Sequence, residues 1–310
     1  MKESTIDGLR KNERIGQLLE SFMKAFPGIS VYTSPAALQN LFQFQREDDF
    51  FIVLHDERYN HAAHTHPFFE LVYMASGTAE ELVDDETVLL EEGDLCIHKP
   101  GSRHQINRCG SRDCLVNILM DKNAFMGDYY APLLRNARLN YFFSRFLTAS
   151  SDQSPFLLFK RHSPLIDELM ELIAQTYLEN DPFTRIISNG LFLSLFGELI
   201  RSESSDSRSA EITDYIAANL TEVSLQAAAA HFGYHEKYFS TVLKRETGRS
   251  FQQLLTEIRL TRAASLLMCT ELTIEQIAWE IGYQDVSSLH IRFPEIYGMT
   301  PSEYRRLNHY

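Results

Sequence analysis

The sequence predicts a multidomain α and β chain. A front β-barrel with flanking helices precedes an all-α rear domain of two helix-turn-helix units joined by a long helix. Three observations carry this. Short β-type runs separated by Gly, Asp and Pro fill residues 40 to 120. Two stretches with apolar residues at helical spacing follow between 164 and 200. The last hundred residues contain an internal duplication. With 310 residues, 44% apolar and 23% charged, the chain can bury two globular cores.

From the N-terminus, Ile15, Leu18, Leu19, Phe22, Met23 and Phe26 predict an amphipathic helix that Pro27-Gly28 ends. The runs FFIVLH, FFELVYM, ETVLL, DLCIH and CLVNILM read as strands, and so many short strands suggest a barrel or sandwich. HSPLIDELMELIAQTYLEN and, after Pro182, FTRIISNGLFLSLFGELI read as two helices that can close the barrel's side or pair with a second copy. RSESSDSRS, residues 201–209, reads as a linker. The expected division is 1–160 front barrel, 161–200 helical dimerisation segment, 201–209 linker and 210–310 rear helical domain.

Bulk properties narrow the function. No apolar run reaches the roughly 18 residues of a membrane span, and the start, MKESTIDGLRKNERIG, lacks the apolar core of a signal peptide. A cytoplasmic protein is expected, with no membrane partner. Cys96, Cys109, Cys114 and Cys269 are scattered without a CxxC pair, as free thiols would be. The net charge is −13: residues 209–310 carry 9 Lys and Arg against 12 Asp and Glu, and the remainder 20 against 30. A DNA reader built this way depends on where its cations sit, because long-range attraction to phosphate is weak.

The duplication aligns SLQAAAAHFGYHEKYFSTVLKRETGRSF (224–251) with TIEQIAWEIGYQDVSSLHIRFPEIYGMTP (273–301). Leu225 matches Ile274, Gly233-Tyr234 matches Gly282-Tyr283, Phe239 matches Leu289 and Gly248 matches Gly298. Each copy reads helix, glycine turn, helix. Ala228, Ala229, Ala278 and Ile281 let the first helix approach the second, and Gly233 and Gly282 supply left-handed geometry at the turn. FQQLLTEIRLTRAASLLM between the copies reads as a connecting helix. It would hold two reading heads about 34 Å apart, one turn of DNA.

These residues resemble the DNA-binding domain of the AraC family of bacterial transcription regulators. RLTRAASLL from Arg259, TIEQIAWEIGYQD and GMTPSEYRR carry the likeness, in register over 224–306. The resemblance implies double-stranded promoter DNA and RNA polymerase as partners, with activation the commoner mode. In the first copy Lys237, Ser240 and Thr241 are expected on base edges, and Lys244, Arg245 and Arg249 on phosphate. His235 stands where the family often has a serine N-cap. In the second copy Ser287, Ser288, His290 and Arg292 are expected to face DNA. Ile291 falls where the family usually has Arg, and Pro294 where it usually has Lys. A proline inside a helix removes a hydrogen bond at a cost of about 3 kcal/mol. The second reading helix is therefore expected to kink or restart at Pro294 and to read weakly.

In front, HTHPFFELVYMASG and GDLCIHKPGSRH place His64, His66, Glu70 and His104 in two motifs resembling the cupin barrel, over roughly 50–120. Lys99 stands where that pattern commonly has proline. Two readings compete: a metal site of three histidines and one carboxylate, and a metal-free pocket for a small effector. The second is favoured, with a sugar as effector and no cofactor; a barrel plugged by its own side chains is the third. His55, His61 and His98 carry no motif and are expected to satisfy local hydrogen bonds. The reading is an effector-responsive, homodimeric transcription regulator with no catalytic residues. The alternative is a metal-dependent cupin enzyme carrying a DNA-binding domain.

Overall fold

A computed structural model of the protein describes residues 1–12, 50–55, 63–110, 112–134, 136–148, 155–160, 163–203 and 208–308. The helix expected over 15–26 lies outside these residues. In chain order the described elements begin with α1 (Glu3–Arg10), β1 (Phe50–Leu54), β2 (Phe69–Ser76), β3 (Thr78–Val83), β4 (Glu86–Glu91), β5 (Leu95–His98), β6 (His104–Cys109) and β7 (Cys114–Met120). A short helical stretch containing the π-helix Phe125–Tyr130 leads to α2 (Ala137–Thr148), β8 (Phe156–Phe159), α3 (Pro164–Glu179) and α4 (Thr184–Glu203). Seven helices follow: α5 (Arg208–Ala218), α6 (Leu225–His231), α7 (Glu236–Thr247), α8 (Phe251–Cys269), α9 (Ile274–Glu280), α10 (Val286–Tyr297) and α11 (Pro301–Asn308). No described helix is long and apolar enough to cross a membrane, and all four cysteines are free.

The chain divides into two units, Met1–Tyr129 with Ser154–Glu203, and Tyr130–Gln153 with Ser204–Tyr310. In the first, eight strands form two antiparallel sheets, ordered β1-β7-β2-β5-β8 and β4-β3-β6. Val72, Met74, Ala79, Val83, Val88, Leu90, Ile106 and Leu115 from the two sheets share one apolar core. The expected cupin-like, β-rich front domain is thus what folds. β2 is buried along nearly its whole length because both its faces are covered. Val72 and Met74 face the sheet core, while Tyr73 donates its hydroxyl to Asp167 of α3 at 2.8 Å. Phe50 packs on Tyr177 and Phe192, and Phe69 on Phe125, in a second apolar layer under α3 and α4.

Two expected boundaries differ from the compact units of the fold. The helices of the expected segment 161–200, α3 and α4, bury Ile166, Leu169, Ile173, Phe192, Phe196 and Leu199 within the strand unit. Residues 130–134 and 136–148, which the expected boundary puts with the front barrel, group with the rear helices. Tyr130 donates to Ser265 Oγ of α8 at 2.7 Å, Asn140 donates to the Tyr130 hydroxyl, and Arg262 of α8 donates to the Leu134 carbonyl. An apolar helix face does not announce its partner in sequence, so α2 could not be assigned from its pattern. Of the expected linker, 201–203 ends α4 and 208–209 begins α5, with 204–207 outside the described residues.

The rear unit shows the duplication directly. α6 and α9 are each 7 residues, and α7 and α10 each 12. Ala228, Ala229, Ala278 and Ile281 are buried as expected. Tyr234 N–H donates to Ala229 O and Tyr283 N–H to Ala278 O, the same cap in both copies. Gly233 at φ 71 and Gly282 at φ 85 make that cap possible. α8, 19 residues and so roughly 28 Å long, connects the copies and opens with a capping box between Ser250 and Gln253.

Candidate functional site

Two sites are built by these units. On α7, Phe239, Val242 and Leu243 face the interior, which turns Lys237, Thr241, Lys244 and Arg245 out to solvent and leaves Ser240 and Arg249 half-buried. Arg245 pairs with Glu246 at 2.6 Å, and Arg249 with Glu257 at 2.8 Å. Phosphate would have to compete with these carboxylates for both guanidinium groups. His235 occupies the N-cap of α7 without a side-chain bond, whereas Asp285 caps α10 by accepting from Ser288 N–H.

The expected restart at Pro294 does not occur. α10 is one helix from Val286 to Tyr297 with Pro294 inside it. Packing explains this. Leu289 and Phe293 are fully buried, and Phe293 packs on Tyr297 and on Tyr304 of α11. Burying two such side chains contributes about 1.5–3 kcal/mol each, which offsets the proline's cost of about 3 kcal/mol. Gly298 at φ 69 then closes the helix by donating to Pro294 O. Ser287, His290 and Arg292 are exposed and Ser288 is half-buried. Ile291, 65% exposed, occupies the same face without a charge.

The GMTPSEYRR signature has a physical reading here. Thr300 and Glu303 cap α11 reciprocally, Pro301 sits in its first turn, and Tyr304 buries itself against Phe293 and Tyr297.

In the front unit, His66, Glu70 and His104 come together and His64 stands beside them. Glu70 Oε2 lies 2.9 Å from His66 Nε2 and 2.9 Å from His104 Nε2, and all three side chains are buried. His64 bridges to His104 through backbone hydrogen bonds at 3.0 Å, its ring 4.6 Å from that of His104, but it is only half-buried. Burial alone would raise the Glu70 carboxyl, yet hydrogen bonds from His104 and His66 hold it well below the usual range. Burial pulls both imidazoles down and prevails at His66. At His104 the hydrogen bond and charge of Glu70, with the charge of Glu81, outweigh it and push the group up to about 9. Three ligand atoms within 4.8 Å of one another, two imidazole and one carboxylate, fit a divalent ion as well as they fit a polar ligand.

Sequence reasoning missed two residues beside this cluster. Glu81, on β3, escaped because TAEELV was not read as a strand. His98 was expected to satisfy local hydrogen bonds; its ring is completely buried, with Nε2 3.0 Å from Glu81 Oε1. The expectation for His61 lies outside the described residues. Exposed Tyr238 and Trp279 were also passed over; both are large apolar surfaces on the helix-turn-helix units.

Comparison with known proteins agrees with this geometry. An AraC-like ligand binding domain model matches residues 50–196, and a helix-turn-helix domain model matches 228–307. The HTH-type transcriptional activator RhaR of Escherichia coli is 25% identical over 262 residues, covering 80% of this chain and 88% of that protein. RhaS of Escherichia fergusonii, also an HTH-type transcriptional activator, is 22% identical over 253 residues, covering 78% and 87%. Among solved structures, an apo ToxT variant from Vibrio cholerae is 16% identical, covering 84% of this chain and 98% of that one, with a TM-score of 0.35. The C-terminal domain of AraT, a response regulator from Geobacillus stearothermophilus, is 32% identical over 34% of this chain and 91% of its own, with a TM-score of 0.33. Domains and homologues point to transcription regulators and away from the alternative of a cupin enzyme.

Proposed function

Because the chain belongs to the AraC family of transcription regulators, with a ligand-binding domain ahead of a helix-turn-helix domain, we propose that it activates transcription from a promoter in response to a carbohydrate bound in its front domain. The observation that carries this reading is the pair of helix-turn-helix copies, their turns closed by the same backbone bond, on one connecting helix. The first copy reads bases through Lys237, Ser240 and Thr241 and holds phosphate through Lys244, Arg245 and Arg249. The second, through Ser287, Ser288, His290 and Arg292, contributes mainly position. The names of RhaR and RhaS support activation, and RNA polymerase is the further partner that activation implies.

The effector meets His64, His66, Glu70 and His104, whose ring nitrogens and carboxylate suit sugar hydroxyls. It changes transcription only to the extent that it binds two conformations unequally. A gel shift on the DNA upstream of the protein's own gene, with and without candidate sugars, tests the proposal. A sequence-specific complex whose affinity changes at least about fivefold with one sugar, a coupling of about 1 kcal/mol, supports it. Binding indifferent to sequence, or to every sugar, overturns the corresponding half.

A further inference from the structure

The second reading helix carries an exposed isoleucine at a place where the first carries a base reader. α7 and α10 are both 12 residues long, and both close on left-handed glycines, Gly248 at φ 70 and Gly298 at φ 69. Their inward positions coincide: Phe239 with Leu289 and Leu243 with Phe293, all four fully buried. The same register sets Thr241 against Ile291, so Ile291 holds on α10 the place that Thr241 holds on α7. Pro294 leaves this correspondence intact, because α10 runs through it as one helix.

The polar groups around Ile291 are occupied or of the wrong sign. Ser288 donates its hydroxyl to Asp285 Oδ2 at 3.1 Å and its N–H to Asp285 Oδ1 at 2.9 Å, so it serves the helix cap. One turn beyond Ile291, Pro294 and Glu295 stand where α7 has Lys244 and Arg245. Ile291 itself is 65% exposed. In a major groove an aliphatic side chain finds one apolar feature to pack on, the C5-methyl group of thymine. Against the N7 and O6 acceptors of guanine it would strip water and return no hydrogen bond. We propose that Ile291 is a specificity-determining residue of the second head and selects thymine by packing on its methyl group. Removing one such group from water is worth about fourfold in affinity, less than a bidentate hydrogen-bonded pair, so the first head keeps the larger share of discrimination. The inference rests on the reading that α10 faces DNA and adds which base it selects and through what contact.

The test uses the full chain and a duplex that it selects from a random-sequence library. Hydroxyl-radical footprinting of that duplex measures whether two successive turns are covered. Each thymine is then replaced singly by deoxyuridine, which removes the methyl group and nothing else. At one thymine or more the replacement should weaken wild-type binding about fourfold, and there it should change binding by Ile291→Ala less than about 1.5-fold. The side chain is exposed, so its truncation leaves the core intact, and near-ultraviolet circular dichroism verifies this. Selection with Ile291→Arg gives an independent measurement: an arginine there should take guanine in place of that thymine. The contact is overturned if no thymine is sensitive to deoxyuridine, if Ile291→Ala keeps the sensitivity at every position, or if Ile291→Arg still selects thymine. Two covered turns would then leave the reading of both heads standing. Coverage of a single turn overturns that reading, and the contact with it.

Discussion

Lys237 and Thr241 illustrate how little a residue's identity says about its role until its helix face is fixed. Phe239, Val242 and Leu243 are buried, and that alone turns 237 and 241 outward on α7. Each base contact contributes about 1–3 kcal/mol of discrimination. Lys237→Ala or Thr241→Ala should therefore relax base preference far more than Ser288→Ala or Ile291→Ala in selection from an operator library. Equal losses from both heads would refute that division of labour. The face was legible because inward aromatic and branched residues recur at helical spacing. The carboxylate partners of Arg245 and Arg249 were not, since a contact such as Arg249–Glu257 joins two elements. Glu81 was legible in principle: strand alternation puts it inward between Ala79 and Val83, where a lone carboxylate is conspicuous.

At the scale of elements, the two turns look interchangeable in sequence and are not. A Cβ on Gly233 would meet nothing within 4 Å, so Gly233→Ala carries only the strain of a left-handed residue, about 1 kcal/mol. A Cβ on Gly282 would stand 2.8 Å from Leu220 O and from Thr221 Cα. Gly282→Ala should cost at least about 2 kcal/mol in chemical denaturation, clearly more than Gly233→Ala. Equal midpoints would show that the Leu220–Thr221 backbone yields freely. Pro294 supplies a second comparison. Since α10 continues through it, Pro294→Ala should restore a helical hydrogen bond and stabilise the rear unit by about 1–3 kcal/mol in thermal unfolding. A fall in stability would mean that the proline is favoured by its surroundings.

For the molecule as a whole, α3 and α4 carry two kinds of face. Their inner faces cover the five-stranded sheet, while Phe183 at 64% and Ile186 at 71% exposure, with Ile187 and Leu172, leave an apolar outer surface. Large exposed apolar patches mark interaction surfaces, and a second copy of the same helices is the occupant that the homodimer expected from the sequence would place there. Phe183→Glu with Ile186→Glu should convert a dimer to a monomer in sedimentation equilibrium and weaken DNA binding without unfolding the strands. A double variant that still sediments as a dimer places the interface elsewhere.

The sequence alone determined the parts: strands then helices, a duplicated helix-turn-helix with its glycine turns, and the inward face of its first reading helix. These follow from local periodicity and backbone preference, which neighbouring residues decide among themselves. Only the tertiary structure decided that α2 packs with the rear helices, that α10 survives its proline, and that His98 and Glu81 meet inside the front domain. Each of those outcomes joins residues distant in sequence, where burial contributes enough free energy to override what the local chain prefers.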